Sequence, residues 1–240
     1  MMRLTHGAIA CAAVLLVMIP GAARQARAET YPKMLPIDQY LMPDRNAEIA
    51  MARSAAPPSI SGDATVLVLG RGGYETAIKG KNGFVCLVER SWMSPFDFPE
   101  FWNAKMRGPI CYNPPAARTV LTYTIARTKL VLAGKSKPEI RAAIKTAVAG
   151  KALPVPEPGA MSYMMSRQGY LNDEARSWRP HLMFHPPKTD AAAWGANLAG
   201  SPVMLDSAHH VVPEPETIFM VGVDHWSDGT PAPAMDMHKH

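Results

Sequence analysis

ATVLVLGRGGYETAIKGKNGFVCLVE, residues 64–89, is the stretch whose reading decides the fold. Ala64 to Leu69 is short, almost wholly apolar and rich in β-branched residues, as a buried strand requires. Gly70 to Gly73 reads as a turn. Tyr74, Thr76 and Ile78 then alternate with Glu75, Ala77 and Lys79, the period-two pattern of a half-exposed strand. Asn82-Gly83 is a strong short-range hairpin signal, and Phe84 to Glu89 supplies the return strand with Cys86 on it. The pattern predicts a three-stranded meander over 64–89.

Downstream, Ser91 to Tyr112 is dense in aromatics and prolines (Trp92, Pro95, Phe96, Phe98, Phe101, Trp102) and reads as a long loop. Asn113-Pro114-Pro115 starts a helix, with Asn as cap and proline in the first turn, and Gly134 ends it. Ser136 and Glu139 form a capping box ahead of an apolar face at Ile140, Ala143, Ile144, Ala147 and Val148. A proline-rich linker leads to candidate strands at 161–165, 181–185, 203–205 and 217–223, with a short helix capped by Thr189 or Asp190 between them. Strands, then helices, then strands, without βαβ alternation, predict an α+β fold. Its mainly antiparallel sheet, the meander 64–89 plus the C-terminal strands, packs against two or three helices.

Upstream, Asp44 caps a helix over roughly 45–55, and 29–43 reads as an irregular leader. Residues 1–28 have the order of a secretory signal: Arg3 and His6, an apolar run from Ala8 to Ile19, the Pro20-Gly21 break, and Ala26-Arg27-Ala28 for cleavage. The apolar run is about 12 residues, short of the roughly 20 a membrane-spanning helix needs. The organisation expected is therefore a signal peptide at 1–28, an extension with a short helix at 29–60, one α+β domain at 61–226, and a Met/His tail at 227–240.

Export has consequences for charge and sulfur. The chain carries a formal charge of +5, and Arg3, Arg24 and Arg27 leave with the signal while no acid does, lowering it to +2. No dense Lys/Arg run remains, which argues against nucleic acid as a partner. Two cysteines remain, Cys86 and Cys111, and in the oxidising setting of a secreted or periplasmic protein they are expected to pair. No integral membrane association is expected after cleavage.

Nucleotide and nucleophile motifs fail on inspection. Gly134-Lys135-Ser136 lacks the leading glycine of a phosphate loop, since Lys129 stands there, and it lies between helices. Gly70-x-Gly72 leads into a strand, and no Gly-x-Ser-x-Gly, Ser-x-x-Lys or His-Glu-x-x-His occurs.

The leading expectation is a non-catalytic ligand- or partner-binding domain. Its site would be drawn from the aromatic loop (Trp92, Phe96, Trp102), the polar segment with Arg167, Tyr170 and Trp178, and the histidine-bearing strand ends. The alternative is a hydrolase or metal-dependent enzyme using His209, His210 or His225 with Asp206, Asp224 or Asp228 in support. A structural envelope role is the third. His181 and His185 lie about 13 Å apart if extended, too far to share an ion. Met235, Met237, His238 and His240 offer soft and imidazole ligands suited to a transition metal such as copper, but no cofactor is expected.

Overall fold

The computed structural model describes residues 31–205 and 212–233. Eight strands form one mixed sheet: β1 (Thr65–Gly70), β2 (Gly73–Ile78), β3 (Val85–Glu89), β4 (Gly108–Tyr112), β5 (Met161–Met164), β6 (His181–Phe184), β7 (Val203–Leu205) and β8 (Phe219–Gly222). The order across the sheet is β2-β1-β3-β4-β5-β6-β8-β7. Every pairing is antiparallel except that of β1 with β3. The α+β class and the mainly antiparallel sheet are as expected.

The meander is not. β3 pairs in parallel with β1, on the side away from β2, so 64–89 is a hairpin followed by a crossover. The cause lies in residues 80–84, which fold under the start of β1. Gly80 N donates to Thr65 Oγ1 at 3.0 Å, Lys81 N to the Asp63 carbonyl at 2.9 Å, and Thr65 N to the Phe84 carbonyl at 2.9 Å. A Cβ at Gly80 would lie 2.2 Å from Thr65 N, so only glycine permits this approach. Residues 81–83 only bend, with Gly83 at φ +79° and Phe84 N donating to Asn82 Oδ1, and the Asn82 amide donates to the Ile60 carbonyl and aims the chain across β1.

Helices cover both faces. α1 (Arg45–Arg53), capped by Asp44 accepting from Asn46 N at 2.8 Å, lies with α2 (Pro58–Ser61). Ala52, Ala55 and Ala56 pack there with Val66, Val88 and the cysteines. Cys86 and Cys111 face each other in register and are joined by the expected disulfide, fully buried. The opposite face carries α3 (Pro114–Arg118), α4 (Leu121–Leu132) and α5 (Lys137–Ala149). The helix expected from Asn113 is interrupted at Thr119, whose hydroxyl bonds back to the Pro115 carbonyl at 2.7 Å. α5 has its capping box as read from Ser136 and Glu139. The signal segment lies outside the described residues, as does the end of the tail.

Candidate functional site

Side chains on a strand alternate between faces, so the register assigns each residue to one of them. Leu87 pairs with Ile110 and Glu89 with Gly108, Tyr112 with Ser162, Ser162 with Met183, and Met183 with Met220. These residues share the face covered by α4. Met164 and His181, also paired, lie on the same face. Between this face, α4 and the loop 91–107 is a cavity of about 380 Å³. Its apolar wall includes five methionines, Met93, Met106, Met164, Met183 and Met220, beside Phe98, Ile110, Leu171, Trp178 and other apolar side chains.

Polar groups on the wall form three sets. In the first, Glu89 Oε1 accepts from Tyr112 Oη at 2.6 Å and from Thr124 Oγ1 at 2.9 Å. Burial pushes the Glu89 acid above the usual carboxylate range, against the pull of those two hydroxyls. The Tyr112 phenol is driven well above its ordinary value, first by burial and then by the adjacent Glu89 charge.

In the second set, Arg127 on α4 holds Glu214 through two parallel bonds, Nε at 2.6 Å and Nη2 at 2.8 Å. Its Nη1 donates to the carbonyls of Trp92 and Ser94, and the guanidinium lies 4.4 Å over the Phe96 ring. This pair pins the 212–218 segment to the helix. Arg90 is similarly committed, Nη2 to Glu48 at 2.9 Å and Nε to the Tyr40 carbonyl at 2.7 Å.

The third set is a line of three. Glu216 Oε2 lies 2.8 Å from His185 Nδ1, and His185 Nε2 lies 2.9 Å from Ser162 Oγ. An ionised carboxylate only accepts, so the ring proton sits on Nδ1 and Nε2 accepts from the Ser162 hydroxyl. The order resembles nucleophile, base and orienting acid. However, Ser162 is fully covered within the sheet and is not part of the cavity wall. Nearby, His181 Nδ1 donates to the Arg179 carbonyl at 2.7 Å, and burial lowers the pKa of its ring, leaving Nε2 as an acceptor.

No protein family, curated protein or solved structure matches the chain.

The residues singled out from sequence separate into distinct places. Trp92, Phe96 and Trp102 are buried in the main core, with Trp92 Nε1 donating to Thr128 at 3.0 Å; the loop packs its aromatics inward. Trp178 lines the cavity. Arg167 is exposed near Asp228, and Tyr170 donates to Asp173 at 2.5 Å on the surface. His225 and Asp224 form an exposed pair at 2.6 Å, away from the cavity wall. Asp206, His209, His210, Met235, Met237, His238 and His240 lie outside the described residues. Among the described residues no group of three or more His, Cys, Asp or Glu side chains is placed to hold a metal, and no helix is long and apolar enough to cross a membrane.

Glu89, Tyr112, Arg127 and Glu214 were not singled out, nor was the role of His185 with Glu216. One signal was present: Glu89 shares the parity of Val85 and Leu87, so it ends the strand on the covered face.

Proposed function

We propose that this is an exported binding protein whose ligand is a small amphipathic molecule held in the methionine-walled cavity. The observation that carries the reading is the cavity itself, about 380 Å³ with a mostly apolar wall and a few convergent polar groups. Small-molecule sites commonly have a volume of about 300–1,000 Å³ and that composition. Methionine suits it, because an unbranched thioether adapts to varied shapes. Export is supported by the signal-like leader together with the buried disulfide.

The enzymatic alternative has the Ser162–His185–Glu216 line in its favour. Against it, a nucleophile must touch its substrate, and the Ser162 hydroxyl is sealed between β4 and β6. The line is better explained as a buried support that fixes the His185 ring.

A thermal-shift panel of aryl and alkyl amines, alcohols and acids tests the reading, run on wild type and on Met183→Trp, which fills the cavity. At least one class is expected to raise the wild-type midpoint and to leave the filled variant unmoved. No shift with any class, or equal shifts in both proteins, overturns it. A fluorophosphonate is expected to leave Ser162 unlabelled; labelling there would favour the hydrolase.

A further inference from the structure

The cavity wall has an unequal supply of hydrogen-bonding groups. Its charged and hydroxyl donors are engaged within the protein. Arg90 and Arg127 are bound as described, Tyr112 and Thr124 donate to Glu89, Tyr123 donates to the Pro154 carbonyl at 2.5 Å, and Ser94 to the Met106 sulfur at 3.4 Å. The acceptors are not used up. Glu89 Oε2, Glu216 Oε1 and His181 Nε2 receive no hydrogen bond from the described residues. None of these is a sealed orphan. Among the described residues the buried side-chain atoms without partners are Arg53 Nε, Ser91 Oγ and Arg141 Nε.

Charge is unequal in the same sense. Arg127 is neutralised by Glu214 and Arg90 by Glu48, both pairs buried. His185 gives Glu216 a hydrogen bond from Nδ1. Among the described residues Glu89 has no cation of its own within salt-bridge distance, only the two hydroxyls, with His185 and Arg127 acting on it from farther off. A carboxylate on a low-dielectric wall, with one oxygen open to the cavity, needs a partner that brings both charge and donors.

Resting on the cavity reading above, we infer that the ligand is a protonated amine on an apolar, preferably aromatic, body, with its ammonium group on Glu89 and its body against the methionines and Trp178. Sulfur–aromatic contacts favour a ring there. An alcohol brings one donor and no charge. An acid would set a second carboxylate against Glu89 and Glu216.

Three matched probes test this by calorimetry on the full chain: phenethylamine, phenethyl alcohol and hydrocinnamate. The amine is expected to bind wild type at least about tenfold more tightly than either of the others, a difference of about 1.4 kcal/mol. Glu89→Gln retains an oxygen to accept from Tyr112 and Thr124; it is expected to abolish the preference of the amine over the alcohol. A second measurement needs no variant. Amine binding should strengthen as the pH rises and Glu89, held above the usual carboxylate range by burial, ionises, while binding of the alcohol stays level, because only an ionised carboxylate pairs with the ammonium. The groups that could alter this profile are Tyr112 on β4, Tyr74 on β2, Thr124 and Arg127 on α4, and His185 beyond β6, with His181 and Glu216 on the same cavity wall.

Alcohol or acid binding as tight as the amine, or an amine preference that survives Glu89→Gln, would overturn the amine assignment and leave the cavity reading standing. So would a flat pH profile for the amine. Failure of all three probes to bind would overturn both.

Discussion

Glu48 shows how much one side chain can carry in this protein. From α1 its Oε1 accepts from Leu69 N at 3.1 Å and from Arg90 Nη2 at 2.9 Å, and both charged residues are almost completely buried. Arg90 cannot shed its charge, since a guanidinium remains protonated at any ordinary pH. Removing Glu48 therefore strands a buried cation and a strand N–H together. Glu48→Ala is expected to cost about 3–5 kcal/mol, read from the midpoint of urea unfolding. A loss below about 1 kcal/mol would mean that water reaches Arg90. The same scale explains why Glu89 escaped the sequence reading. A carboxylate at the end of an apolar strand looks like a solvated terminus. Its burial is imposed by Thr124, 35 residues away, on a helix whose position the local pattern does not encode.

At the level of elements, local chemistry was readable and non-local pairing was not. The capping box of α5, the Asp44 cap of α1 and the strand at β1 are set by neighbours within a few residues, and they form where expected. The crossover of β3 past β1 depends on Gly80 meeting the backbone of residues 63–65, a contact no window of periodicity contains. Gly80→Ala should lose at least about 1–3 kcal/mol, the usual range for overpacking, since backbone and not a movable side chain is struck. Gly72→Ala is the matched control: a Cβ there meets nothing within 4 Å, and a change inside about 0.5 kcal/mol is expected. Equal losses at the two sites, measured by thermal and urea unfolding, would contradict the crossover. The aromatic loop is the intermediate case. Large aromatics are costly to leave exposed, so its composition favours an inward-packing flap over an exposed platform, and Trp92, Phe101 and Trp102 are buried accordingly.

At the scale of the molecule, one sheet separates two interiors. Small residues, alanines above all, and the disulfide fill the α1 side; aromatics, methionines and the paired charges fill the α4 side. The bridge closes a loop with a sequence separation of 25, for which chain entropy predicts about 3–4 kcal/mol of stabilisation. Cys86→Ala/Cys111→Ala should lower the unfolding free energy by about that amount, and reductant should then leave the double variant unchanged. A variant as stable as the oxidised wild type would show that the bond contributes nothing.

That bridge also lies directly behind the cavity floor. It ties β3 to β4 at Cys86 and Cys111, while Glu89 and Tyr112, each close by on the same two strands, meet on the other side of the sheet. The covalent link thus acts as an indexing pin, fixing how far one strand can slide past the other and hence the spacing of acid and phenol. A chain whose thiols are still reduced holds that alignment by hydrogen bonds and packing, without a covalent restraint. The cavity side of the sheet is held correspondingly less firmly in that chain.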